Sequence, residues 1–142
     1  MAVFTWPVRV YWEDTDGGGI VYYANYLRFL ERARTEWLRS LGFDQSDWIR
    51  DPGVLFTVVA VEIRFLAPAR LDDHLLISCE PQAEGRVSVG FRQGVYRDSL
   101  SGPLLATATV RAACVDAATL KPRRIPASIW EALPRATRTA VE

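Results

Sequence analysis

Histidine is nearly absent from this chain: among 142 residues only His74 occurs. Cysteine is almost as scarce, with Cys79 and Cys114 far apart and no close Cys or His pair beside either. Metal-ligand spacing is therefore lacking. A Ser-His-Asp hydrolase is disfavoured, because no G-x-S-x-G elbow occurs. The lone histidine sits in Leu71-Asp72-Asp73-His74, at a predicted strand start, and reads as a solvated turn residue. A cysteine nucleophile would need that same histidine as its base. Both cysteines instead alternate within apolar strands as small buried hydrophobes, which fits a reduced, cytoplasmic setting.

Excess charge is also missing. Lys plus Arg and Asp plus Glu both number 17, for a formal net charge of zero. A general nucleic-acid binder shows a basic surplus, so nucleic acid is not an expected partner. Zero net charge leaves little long-range repulsion against self-association. No apolar run approaches the roughly 18 residues of a membrane span. The start, Met1-Ala2-Val3-Phe4-Thr5-Trp6-Pro7, has neither a basic n-region nor a long apolar stretch, and no signal peptide is expected.

What the chain does have is apolar residues, 49% of the total, which excludes disorder as the general state. Its length favours one domain over 1–142 with a core that needs no staples. Val8, Val10 and Trp12 alternate with Arg9 and Tyr11 as in a half-buried strand. Tyr23, Tyr26, Leu27, Leu30, Trp37, Leu38 and Leu41 recur at helical spacing, predicting a helix from Tyr23 to Leu41 that Gly42 stops. Strand patterns then follow. Val59, Val61, Ile63 and Phe65 share one face, Leu75, Ile77 and Cys79 another, then Val87, Val89, Phe91 and Val95. The longest alternation runs from Leu104 to Cys114, and a short helix is expected over Ala127 to Leu133. Short connections favour antiparallel pairing. The expected class is α+β: an antiparallel sheet of about five strands, holding Val61, Ile63, Val89, Phe91, Val110 and Ala112, wrapped around one long helix.

Chemistry is concentrated between the first strand and that helix. Glu13-Asp14-Thr15-Asp16 precedes Gly17-Gly18-Gly19. No Gly-Lys-Ser/Thr follows, so this is no P-loop. Glycines allow a backbone to approach a ligand closely, and a helix start presents free N–H groups. Together they make a site for an oxyanion or carbonyl. A carboxylate there, flanked by Trp12 and Tyr22, is able to act as a base on water or as a nucleophile. Spacing alone does not choose between Asp14 and Asp16. The cations Arg64, Arg70, Arg86, Lys121, Arg123 and Arg124 are scattered and read as solvated surface.

The run from Val10 to Tyr26, Val-Tyr-Trp-Glu-Asp-Thr-Asp-Gly-Gly-Gly-Ile-Val-Tyr-Tyr-Ala-Asn-Tyr, resembles the signature of the 4-hydroxybenzoyl-CoA thioesterase family, in its YbgC branch of acyl-CoA thioesterases. Phe29 to Glu36 is similar to the branch's central helix, and Phe65 to Asp73 and Cys114-Val115-Asp116 with Lys121-Pro122-Arg123 also match. The similarity covers about Val8 to Ile129. It implies a hot-dog fold, built as a homodimer that often pairs into a tetramer, hydrolysing acyl-CoA to free acid and CoA without a metal or redox cofactor. It assigns catalysis to the second acid, Asp16, and the oxyanion contact to the Tyr23 backbone N–H. The substrate contacts it implies are Gly18, Gly19 and Ile20, with Arg86 of Glu84-Gly85-Arg86-Val87 toward the CoA phosphates. Acyl carrier protein and lipid-synthesis enzymes are partners of the branch. Two other readings stand beside it. One is a scaffold that binds acyl-CoA or acyl carrier protein without turnover. The other is a hot-dog dehydratase, which pairs a histidine with a helix carboxylate, a role for which His74 is badly placed.

Overall fold

The computed structural model describes residues 3–50 and 53–134. Strand β1 (Phe4–Arg9) leads through two short 3-10 turns, Trp12–Asp14 and Tyr23–Asn25, into helix α1 (Tyr26–Ser40) and the short α2 (Gln45–Arg50). Strands β2 (Val54–Phe65), β3 (His74–Ala83), β4 (Ser88–Arg97) and β5 (Leu104–Asp116) follow, and α3 (Ala127–Ala132) comes last. The five strands form one antiparallel sheet in the order β1-β3-β4-β5-β2. In the register of β1 on β3, Phe4 faces Cys79 and Arg9 faces His74. The α+β hot-dog architecture expected from the sequence is the one observed.

By internal contacts the chain divides into two compact units. The first takes in Met1–Trp37, Ile63–Glu80 and Arg92–Ala108, the second Leu38–Glu62, Pro81–Phe91 and Thr109–Glu142. In the first, Tyr26, Phe29, Leu30, Ala33 and Trp37 put one face of α1 out of water, as do Val8, Val10, Ile77 and Leu105 of the strands and loop. Each large apolar side chain buried this way contributes roughly 1.5–3 kcal/mol. One polar bridge fixes the same helix to β4. Buried Gln93 donates from Nε2 to the Leu30 carbonyl at 3.0 Å and accepts from Arg34 at 3.0 Å. Burial at this place holds the Arg34 pKa below the usual guanidinium value. In the second unit, Leu38, Val54, Val89, Val110, Ala112, Ile129 and Trp130 are buried.

Gly42 ends the helix as expected. Its φ of +88° suits only glycine well, and the Gly42 and Phe43 N–H groups return to the Arg39 and Leu38 carbonyls at 2.9 and 3.3 Å.

Four expectations need correction. The helix begins at Tyr26, because Tyr23–Asn25 winds as a 3-10 turn, and it ends at Ser40 rather than Leu41. Leu27, read as part of the apolar face, is exposed. Trp12 does not continue β1; it lies in the first 3-10 turn and is 73% exposed. Val61 and Ile63 lie in the sheet as expected, but the face read from Val59, Val61 and Phe65 is exposed there, with β2 an edge strand. Periodicity reports which side chains share a face; it cannot report that a strand will lie at the rim of a sheet. Helix α2 carries no apolar period and was not anticipated.

Candidate active site

Every site residue expected from the sequence except Arg86 falls in the first unit. Its foundation is Asp14, 6% exposed and the only buried carboxylate among the described residues. The side chain accepts the Tyr11 N–H at 2.8 Å, closing the 3-10 turn on itself. Its carbonyl accepts the Tyr22 N–H and the Asn25 Nδ2–H, both at 2.9 Å. One residue thereby ties the acidic loop to the start of the helical segment. Asn25 belongs to the signature, but its role was invisible in the sequence; a side-chain amide just inside a helix start was the available signal.

From that base a small hairpin projects. Thr15 and Val21 form an antiparallel bridge, and Asp16 N–H donates to the Ile20 carbonyl at 3.2 Å. The chain reverses within residues 16–20 because Gly17 and Gly19 take φ of +92° and +81°, a region that side-chain-bearing residues avoid. Asp16 is exposed at the mouth of this turn. Its Oδ1 accepts the Gly18 N–H at 3.0 Å, which orients the carboxylate. Its Oδ2 has no hydrogen-bond or cationic partner among the described residues. A Cβ at Gly18 would stand 3.3 Å from Oδ1, so a side chain there would crowd the acid.

Tyr23 opens the second 3-10 turn. The first N–H groups of a helical turn have no partner within it. Those of Tyr23 and Ala24 find no acceptor elsewhere among the described residues. The Tyr23 ring is 63% exposed and rests edge-on against Phe65, with centroids 6.2 Å apart. An oriented carboxylate with a vacant oxygen thus stands on the hairpin, and two donors without an acceptor stand on the 3-10 turn that follows it, which Asp14 ties to the loop through Tyr22 and Asn25. Such a set can activate water or attack a carbonyl, and it can receive the oxyanion that forms.

Arg86 belongs to the second unit, where its guanidinium lies 4.5 Å from the centroid of the Trp130 ring. His74 is exposed and accepts at Nε2 from Arg9 at 2.5 Å. It has no carboxylate partner of the kind a dehydratase requires among the described residues. No group of three or more His, Cys, Asp or Glu side chains able to hold a metal occurs among the described residues. No helix among them is long and apolar enough to cross a membrane.

Residues 18–102 match the family model of the thioesterase superfamily. The chain belongs to that superfamily. The match begins at Gly18, so it includes Tyr23 and Phe65, with Asp16 two residues upstream. Among superfamily relatives, the acyl-CoA thioesterase YbgC of Haemophilus influenzae is 42% identical over 126 residues, spanning 89% of this chain and 90% of its own. The acyl-CoA thioester hydrolase YbgC of Escherichia coli O6:H1 is 45% identical over 127 residues, spanning 89% and 92%. Among solved structures, Slr0204, a 1,4-dihydroxy-2-naphthoyl-CoA thioesterase from Synechocystis, superposes with a TM-score of 0.85 at 26% identity, covering 93% of this chain and 96% of that one.

Proposed function

We propose that this protein hydrolyses acyl-CoA thioesters to the free acid and CoA. Asp16 acts as general base on water or as nucleophile, and the Tyr23 N–H stabilises the oxyanion. The observation that carries this reading is a carboxylate whose Oδ2 is unengaged, a few residues before a 3-10 turn whose first N–H groups lack an acceptor among the described residues. The names of the YbgC relatives give the substrate class. Thioester hydrolysis is redox-neutral, and these groups fill both roles, so the proposed reaction calls for no metal or redox cofactor. Gly18, Gly19 and Ile20 would lie against the thioester, and Arg86 is the proposed contact to the CoA phosphates.

The chain is proposed to work as one hot-dog domain in a cytoplasmic homo-oligomer. Strand β2 ends the sheet with Val58, Val59 and Val61 in water and no proline between Val54 and Phe65. Open apolar edges of this kind recruit another strand. A second copy supplies one, giving a two-fold dimer and, by further pairing, a tetramer. Acyl carrier protein and lipid-synthesis enzymes are the proposed outside partners.

The test is release of free thiol from a panel of short, aromatic and long acyl-CoAs, with wild type and Asp16→Asn. Wild-type turnover on one or more, and a loss of about 10²–10⁴ in kcat for Asp16→Asn, is expected. No hydrolysis by wild type would favour the scaffold reading. Near-normal turnover by Asp16→Asn would falsify the role of the carboxylate.

A further inference from the structure

The loop that carries Asp16 is laid on residues 69–73. Val21 N–H donates to the Ala69 carbonyl at 2.9 Å, and Leu71 N–H to Gly19 at 3.0 Å. On the other side of the loop, Asp72 N–H donates to Val10 and Val10 N–H to Asp73, both at 3.0 Å. Ile20 and Arg70 complete the join with an antiparallel bridge. Both ends of the acidic loop therefore inherit their position from this one segment.

The segment is held in turn by two side chains. The Tyr26 hydroxyl, from the first residue of α1, accepts the Ala69 N–H at 3.0 Å. The other is Arg97, the last residue of β4. Its Nε donates to Asp73 Oδ2 at 3.1 Å and its Nη2 to the Pro68 carbonyl at 2.9 Å. The same Asp73 oxygen accepts the Arg70 N–H at 2.8 Å. With side-chain exposures of 29% and 20%, the pair is largely shielded from water, where a forked, charge-assisted contact is geometrically demanding. The Arg97 backbone is held as well: its N–H donates to the Pro103 carbonyl at 3.0 Å and its carbonyl accepts the Ser99 N–H at 2.8 Å.

We infer that Arg97 and Asp73 are positioning residues for the Asp16 carboxylate. The inference rests on Asp16 being the catalytic acid. Neither residue touches that loop's tip; they act through Pro68–Asp73 on the anchors at Val10 and Gly19–Val21. Loss of the clamp lets the acid drift from its attack geometry, whereas Arg86, the proposed contact to the CoA phosphates, has no bond to this segment. Displacements of about 1 Å can cost about 10²-fold in rate.

The experiment measures kcat and KM for one good acyl-CoA in Arg97→Ala, Arg97→Lys, Asp73→Asn, Asp16→Asn and the double variant Arg97→Ala/Asp16→Asn. Folding of each is checked by circular dichroism, with Arg111→Ala as control. Arg111 pairs with Glu84 on the surface of the second unit and should leave turnover unchanged. In Arg97→Ala, kcat is expected to fall about tenfold to a hundredfold with KM within about threefold, and low guanidinium should restore part of the loss. Arg97→Lys keeps the charge without the fork and should fall between the two. The double variant should be no slower than Asp16→Asn. Wild-type kcat in Arg97→Ala, or losses additive with Asp16→Asn, would overturn the inference while leaving the Asp16 reading intact. Turnover by Asp16→Asn would instead remove the acid's role and the clamp's purpose together. Should Arg97→Ala fail to fold, Arg97→Lys and Asp73→Asn decide: wild-type kcat in both overturns the inference, and a kcat-only loss supports it.

Discussion

In the first half of the acidic loop, Tyr11–Thr15, Asp14 and Thr15 are engaged: the Asp14 carboxylate on Tyr11, its carbonyl on Tyr22 and Asn25, the Thr15 hydroxyl on Trp12. In the second half, Asp16–Ile20, the backbone is bent through two left-handed glycines and one oxygen of Asp16 is left open to water. Two aspartates of identical chemistry stand two residues apart, one buried and one exposed. The difference teaches that one acid carries a structural bond out of water while its neighbour, the acid proposed to react, keeps an oxygen free. Sequence spacing could not separate the two; hydrogen bonding does.

The contrast is broken most severely at Asp16. Asp16→Asn should lose about 10²–10⁴ in kcat, yet keep its melting temperature, because the amide oxygen still accepts from Gly18. Asp14→Ala should do the reverse. It strands the Tyr11 N–H and should cost about 1–3 kcal/mol by urea titration, with kcat of the folded enzyme far less changed than in Asp16→Asn. Equal stability of the two variants would erase the proposed division.

The glycines sharpen it further. At Gly19 a Cβ meets nothing within 4 Å, so Gly19→Ala pays only for its φ of +81°, about 1–2 kcal/mol of stability. Gly18→Ala carries no such penalty but pushes on Asp16 Oδ1, and should lower kcat more than it lowers stability. The smallest effect belongs to Tyr23→Phe. Only the backbone N–H is assigned a role, so kcat should stay within about threefold of wild type, against the roughly 10²–10³ that loss of an oxyanion donor costs. Inactivity equal to Asp16→Asn would make the hydroxyl the working group.

Local patterns in the sequence carry much of the fold. The alternation of Ala106, Ala108, Val110, Ala112 and Cys114 gives the buried face of β5, and Tyr26, Leu30, Trp37 and Leu38 give that of α1. Gly42 marks the helix end because a left-handed residue is needed there. What could not be read depends on distant partners. Val61 has the pattern of a core residue and lies exposed because its strand became an edge. Asp73 and Arg97 are 24 positions apart, and nothing in either neighbourhood announces their pairing. Asp16 and Tyr23 were visible as a motif, whereas the burial of Asp14 that organises them was not.

The two cysteines bear on the product. On the proposed reaction each turnover liberates a thiol, and thiols exchange with disulfides through their thiolates. Cys79 and Cys114 are 1% and 0% exposed. Burial pushes the Cys79 thiol up to about 12 and raises that of Cys114. Neither forms appreciable thiolate at neutral pH, and neither can be reached by a molecule as large as CoA. The folded enzyme is thereby proof against capture as a mixed disulfide with its own leaving group, however much of that group accumulates or oxidises around it.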